Sequence, residues 1–288
     1  RVLFISSYSY GWDTVQTQIE GIKAGVDENT TVDYEFMDTK RFRTEESAAM
    51  FDEMLKYHLD HSDPYDVVIV GDDAALRYAM TFREELFDDI PIVFEGVNDE
   101  EYALEAAKNP LVTGILEKLS VEKNIDMALK VNPSADKVVA ILDDSVTGEA
   151  ERKNFYSAEA EYPQLEFSEI NSSELTTAQL QQALRGADEN TILIYIVMSN
   201  DGSGKQYTSS QAIRMLVTYS KVPVYRMVEG GIGEGLLGGN VVSMYKSGEI
   251  AAQMAMDIAN GTDSAEINVV KDSPNIYCVD EDVMRKFG

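Results

Sequence analysis

Short apolar runs recur along this chain, and nearly every one ends in a cluster of small or polar residues. Val2–Ile5 leads into Ser6, Ser7, Tyr8, Ser9, Tyr10, Gly11, Trp12 and Asp13, and the run at 67–70 leads into Gly71, Asp72 and Asp73. The runs at 92–94, 138–142 and 192–197 end in Glu95-Gly96-Val97-Asn98, Asp143-Asp144-Ser145 and Met198-Ser199-Asn200-Asp201. Runs this short and this rich in Val and Ile are strands buried on both faces. The stretches between them carry apolar residues at helical spacing. Strand and helix in regular alternation give a parallel sheet with right-handed crossovers, which fixes the class as α/β. In such a sheet the loops after the strands share one edge, outside the carboxyl ends, where ligands bind.

The first series runs from strand 2–5 through helix 14–26, strand 31–36, a helix capped by Thr44, strand 66–70, helix 73–83 and strand 91–94. A second series starts with a helix that Ser120 can cap and continues through strand 137–142, helix 147–161, strand 165–170, a helix opened by Thr176 and Gln179 in capping-box form, strand 191–197, helix 207–219 and strand 222–226. Two series suggest two Rossmann-like lobes, with the boundary near 112–119. The glycine-rich stretch 230–239 should be irregular. A strand at 241–244 and a helix at 246–260 are expected after it, with Gly261 ending the helix.

The chain has 288 residues, enough for two lobes, and a net charge of −27. No basic run offsets that charge, which argues against nucleic acid or an anionic membrane surface as a partner. The single cysteine, Cys278, excludes an intrachain disulfide. No apolar run approaches the ~20 residues of a transmembrane helix. The chain opens at Arg1 with a strand at once, which reads as a processed or excised segment.

The loop clusters supply the candidate ligand contacts. Ser7, Tyr8, Tyr10 and Trp12 follow the first strand, and aromatic faces there can stack on a ring or pack on the next helix. Asp72 and Asp73 open a helix, and one of them is expected to cap it. Glu95 can pair with a ligand ammonium, and Asn98 can donate and accept at once. Asp144, Ser145, Ser199, Asn200, Arg226 and Glu229 are the counterparts in the second series. Arg226 is the most pointed of these, because a guanidinium holds a carboxylate in bidentate fashion. Gly202-Ser203-Gly204-Lys205 lacks the first Gly and the Ser/Thr of a phosphate loop. His58 and His61 are the only histidines and adjoin no nucleophile, so neither a metal site nor Ser-His-Asp chemistry is expected. No cofactor motif is present, and the reading is a binding protein and not an enzyme.

Several segments carry a family resemblance: 2–12 (VLFISSYSYGW), 34–43 (YEFMDTKRFR), 67–76 (VVIVGDDAAL), 91–98 (PIVFEGVN), 222–228 (VPVYRMV) and 235–259. Together they resemble one branch of the type I periplasmic binding proteins. That branch holds ABC-transporter substrate-binding proteins related to aromatic amino-acid binders, and the extracytoplasmic sensor domains of bacterial histidine kinases and diguanylate cyclases. Segments 37–42 and 95–98 look more like the sensor version. The resemblance implies a ligand cleft between two lobes joined by three crossovers, with hinge closure around the ligand. It also implies a return of the chain to the first lobe near Gly238. The first lobe is then 1–115 with 238–270, and the second is 116–237 with 271–288 possibly joining it. The expected function is an extracytoplasmic sensor domain for an amino acid or small carboxylate, tethered to the membrane in its full-length form. The alternative is a free or lipid-anchored substrate-binding protein of an ABC transporter. The expected partners are a small-molecule ligand and either a signalling module in the same chain or an ABC permease, with a homodimer possible.

Overall fold

Val2–Ser6 is β1, and its side chains alternate between two cores. Leu3 and Ile5 pack on one face of the sheet, and Val2 and Phe4 on the other. A strand buried on both sides must sit inside a sheet covered by helices on both faces. The computed structural model, which describes residues 1–39, 41–42 and 44–287, has that arrangement twice. The chain divides into one unit of Arg1–Lys118 with Ser243–Pro274 and another of Leu119–Val242 with Asn275–Gly288.

In the first unit β1 lies between β2 (Val32–Phe36) and β3 (Val67–Gly71), followed by β4 (Ile92–Val97) and β5 (Val112–Leu116). All pairings are parallel, in the order β2-β1-β3-β4-β5. The crossovers are α1 (Asp13–Gly25), α2 (Glu45–His61), α3 (Asp72–Thr81) and α4 (Glu100–Ala106). Thr44 caps α2: its side chain accepts from the Ser47 N–H, and the Ser47 side chain answers to the Thr44 N–H. The expected helix 73–83 ends two residues early, and a π-helical turn, Arg83–Phe87, follows it.

The second unit contains α5 (Val121–Val131), β6 (Lys137–Leu142), α6 (Val146–Ser157), β7 (Glu166–Asn171), α7 (Thr177–Gly186), β8 (Thr191–Tyr195), α8 (Ser209–Tyr219), β9 (Val224–Arg226) and β10 (Gly238–Val241). The chain then passes to the first unit as α9 (Met244–Ala259) and comes back as β11 (Ile276–Val279) and α10 (Glu281–Phe287). The strand order is β11-β10-β9-β8-β6-β7, with only β11 antiparallel. Thr176 and Gln179 form the capping box of α7. Ser120 stands at the N-cap of α5 but makes no side-chain cap bond.

Residues 112–116 form the edge strand β5, paired to β4 through Ile92–Val112, and the break between the units follows at Lys118–Leu119, within the expected 112–119. Gly238 and Gly239 are not irregular, because they begin β10 and pair with Val279 and Cys278 of β11. The expected strand 241–244 is therefore displaced to Gly238–Val241, and passage into the first unit comes at Ser243 and not near Gly238.

Two close approaches hold these elements in place. Helices α1 and α9 meet through glycine: a Cβ on Gly21 would collide with the Tyr245 carbonyl oxygen, one on Gly25 with that of Glu249, and one on Gly248 with that of Gln18. In the second unit the buried Asn124 of α5 straps β10 from the side. Its Nδ2 donates to the Asn240 carbonyl (2.8 Å), and its Oδ1 accepts from the Asn240 N–H (3.0 Å).

Candidate functional site

Because its strands are parallel, each unit gathers its post-strand loops on one sheet edge. On the first unit, Ser7 is buried and its hydroxyl is committed. It donates to the Gly71 carbonyl (2.7 Å) and accepts from the Ala75 N–H (2.8 Å), fastening β1 to the start of α3. Tyr8 and Trp12 stand as a tilted ring pair with centroids 5.7 Å apart. Tyr10 turns away to meet Phe36 edge-on and is largely exposed.

Asp72 opens α3 with φ of 70°, a left-handed conformation rare outside glycine. Strain of this kind collects at functional positions, where surrounding structure holds it. Neither aspartate caps α3, contrary to the expectation: the N-cap is Gly71, and no side chain bonds there. Asp73 instead accepts from the Asp99 N–H (3.0 Å) and the Asn98 N–H (3.4 Å), tying α3 to the loop after β4. Asn98 itself is exposed, and its Nδ2 donates to the Glu117 carbonyl. Gly96, with φ of 66°, makes room for three side chains. A Cβ there would meet Gln18 Nε2 at 3.3 Å, Asp72 Oδ1 at 3.7 Å and Glu117 Oε2 at 3.7 Å.

Glu95 lies beneath this group and is fully buried. Neither carboxyl oxygen completes a hydrogen bond, although Ser247 and Gln18 stand close. Burial, with Asp72 and Glu117 nearby, holds its pKa well above the usual carboxylate range. It is therefore a neutral acid under the edge and not an exposed anion on it. Burial and the carboxylates of Asp72, Asp73 and Glu117 also push the Tyr8 hydroxyl far up, so it remains a donor.

On the second unit, burial opposes the charge of Asp143, but donors outweigh it and lower its pKa. Its Oδ1 accepts from the Ser145 N–H (3.0 Å); its Oδ2 accepts from the Ser199 N–H (2.7 Å) and hydroxyl (2.5 Å). Ser199 thus serves β6 and β8 internally, and Ser145 caps α6 by accepting from the Gly148 N–H. Asp144 accepts from Arg152 Nη2 (2.9 Å) and Asn171 Nδ2 (2.8 Å). Asn200 donates from Nδ2 to the Ser173 hydroxyl at 3.3 Å.

Arg226 ends β9 half-buried, with its guanidinium 4.2 Å from the centroid of the Tyr195 ring. Its Nη1 donates to the Tyr195 and Ile196 carbonyls at 3.1 and 2.5 Å, and its Nε to the Gly230 carbonyl at 3.2 Å. Among the described residues no carboxylate forms an ion pair with it. Carbonyls fix its direction but leave its charge unbalanced, which suits it to an incoming carboxylate. Glu229 follows in the next turn, half-exposed.

The sequence of residues 11–288 matches the profile of a family described as ABC transporter substrate binding protein. The chain belongs to that family. Its members bind substrates outside the cytoplasm and are not catalysts. No helix among the described residues is long and apolar enough to cross a membrane. A "Tyrosine-binding protein" of Clostridioides difficile is 21% identical over 202 residues, a match spanning 68% of this chain and 56% of the relative. The ligand-free, open structure of a substrate-binding protein with adhesive properties from Clostridium difficile covers 100% of this chain and 95% of its own, with a TM-score of 0.70 and 18% identity. A Streptococcus pneumonia ABC domain in complex with L-Trp covers 99% and 94%, with a TM-score of 0.63 and 14% identity. These structures support the type I periplasmic-binding-protein fold.

The fold already supplies partners to most of the expected contacts. Ser7, Ser145 and Ser199 hold the framework. Tyr8, Trp12, Asp72, Asp144, Asn200, Arg226 and Glu229 stand on the edges themselves. Gln18, Glu117, Asn171 and Ser173 also reach these edges and were not foreseen. Gln18 lies one turn into a helix, where nothing in the local pattern sets it apart from a solvated face.

Proposed function

We propose that the chain is the substrate-binding component of an ABC transporter and that its ligand is a small zwitterion carrying an aromatic ring. The observation that carries the ring is the Tyr8–Trp12 pair, at 5.7 Å, beside Asp72 on the carboxyl edge of the first sheet. An aromatic face offers stacking and a carboxylate offers a partner for an ammonium group. Taken by itself, the Arg226 guanidinium on the second unit's sheet edge offers donors suited to a carboxylate. The names of two relatives, one a tyrosine binder and one holding L-Trp, point to the same ligand class. The family description favours the transporter role over the sensor role expected from segments 37–42 and 95–98. An ABC permease is the partner that this role requires.

The test is a melting-temperature screen with L-Tyr, L-Trp, L-Phe, L-Leu, D-arabinose and myo-inositol. A ligand of the folded state at ~100 times its Kd adds about 2.7 kcal/mol, and the aromatic amino acids should give that shift. Binding should also change the emission of Trp12, the only tryptophan. A saturable shift with a sugar and none with an amino acid would overturn the proposed ligand class.

A further inference from the structure

Helix α2 is apolar on two faces. Phe51 and Leu55 are buried, and Leu59 packs beside them in the core of the first unit. On the outside, Met50 is 66% exposed, Met54 42% and Tyr57 62%. His61 continues the row, stacked on Tyr57 with centroids 4.1 Å apart. The spacing 50, 54, 57, 61 is that of successive d and a positions in a heptad, and at about 100° per residue it keeps all four within an arc of about 60°. A helix that buries one face normally turns a polar face outward. Methionine exposed in this way is a feature of adaptable binding surfaces.

One flank of the stripe is a rail of acids. Glu46, Glu53 and Asp60 fall on the g positions of the same heptad and are exposed. No ion pair among the described residues involves them, although neighbouring Asp52 pairs with Lys56. An apolar seam edged by unpaired carboxylates complements an apolar seam edged by lysine or arginine. A second copy of this chain would bring the same acidic rail and a further charge of −27.

We infer that the outer face of α2 is a docking surface for a protein partner that presents an amphipathic helix with an apolar seam and basic flanks. Helices meet at such seams by knobs-into-holes packing, and flanking charges select the partner. The surface is separate from the proposed ligand contacts, so occupancy should leave ligand affinity unchanged.

The experiment uses the whole chain and two synthetic helical peptides with leucine at a and d. One carries lysine at e and g, and the other glutamate. Fluorescence anisotropy should show saturable binding of the lysine peptide, weakening as salt rises, and none of the glutamate peptide. A Met54→Gln/Tyr57→Gln double variant should bind the lysine peptide at least ~10-fold more weakly, a loss of about 1.4 kcal/mol. That outcome separates seam packing from general attraction to an acidic protein. A Glu53→Gln/Asp60→Gln variant should lose most of the salt dependence. All variants are surface changes and should keep the wild-type circular dichroism and melting temperature. Equal binding by wild type and the Met54/Tyr57 variant, or no binding at ~100 μM, would overturn the inference. So would a dimer of the wild-type chain, seen in sedimentation and abolished by Met54→Gln/Tyr57→Gln.

Discussion

Glu95 and Arg226 show how much a single residue's meaning depends on its surroundings. On paper Glu95 is an anion after a strand. In the fold it is a buried acid with no completed hydrogen bond and a raised pKa. A carboxyl whose folded pKa lies above its unfolded value keeps its proton in the fold while the unfolded chain releases it. Its contribution is fully present below the usual carboxylate range and is lost as pH climbs through that range toward the folded pKa. Glu95→Gln removes this dependence, so its melting temperature relative to wild type should improve between about pH 4.5 and about pH 7.5. A gap that stays constant with pH would mean that Glu95 ionises freely in the fold. Arg226 is the reverse case, a charge kept near the edge without an acidic partner among the described residues. Arg226→Ala should weaken amino-acid binding at least ~10-fold, or about 1.4 kcal/mol, while the variant stays folded by circular dichroism at a somewhat lower melting temperature, because three carbonyls lose their donor. Isothermal titration of the variant decides this, and unchanged affinity would remove Arg226 from the site.

At the scale of elements, the contact between α1 and α9 depends on atoms that are missing. Gly21, Gly25 and Gly248 let two helix backbones approach where any side chain would strike a carbonyl oxygen. Gly21→Ala should therefore destabilise the protein by about 3 kcal/mol through overpacking, although alanine is the better helix former. Chemical denaturation measures this, and a variant as stable as wild type would mean that the helices can part without cost. The Asn124 strap makes the complementary point. One buried amide satisfies both backbone groups of Asn240, which explains an asparagine on the inner face of a helix.

At the scale of the whole molecule, 51 acidic residues face 24 basic ones. Ion pairs such as Arg152 with Asp144, Glu149 and Glu169 neutralise only part of that excess. Repulsion among the rest opposes the compact state and is screened by salt. Raising sodium chloride from about 10 to about 150 mM, which shortens the Debye length from about 30 to about 8 Å, should raise the melting temperature. A melting temperature that falls or stays level would show that paired charges dominate.

The amino-acid order determined the alternation of β1 to β4 and β6 to β9 with their helices, the Thr44 and Thr176 caps, and the edge on which the polar loops gather. These follow from periodicity and capping chemistry, which act over a few residues. Only the tertiary structure decided that residues 112–116 form β5, that Gly238 and Gly239 enter a strand, and that β11 closes the second sheet antiparallel. Each of those depends on a partner far along the chain, and a glycine pair reads as a loop until a neighbouring strand bonds to it. The same limit applied to the candidate contacts. Ser7 and Ser199 looked available because their sequence neighbours left them so, and residues far along the chain engaged them, whereas Ser145 caps its own helix α6 through the Gly148 N–H. Gln18 had no local mark, and the left-handed turn at Asp72 with the space at Gly96 brought it to the edge. Local pattern sets which elements form. Which polar atoms remain for a ligand is settled by long-range hydrogen bonding, which composition and spacing do not encode.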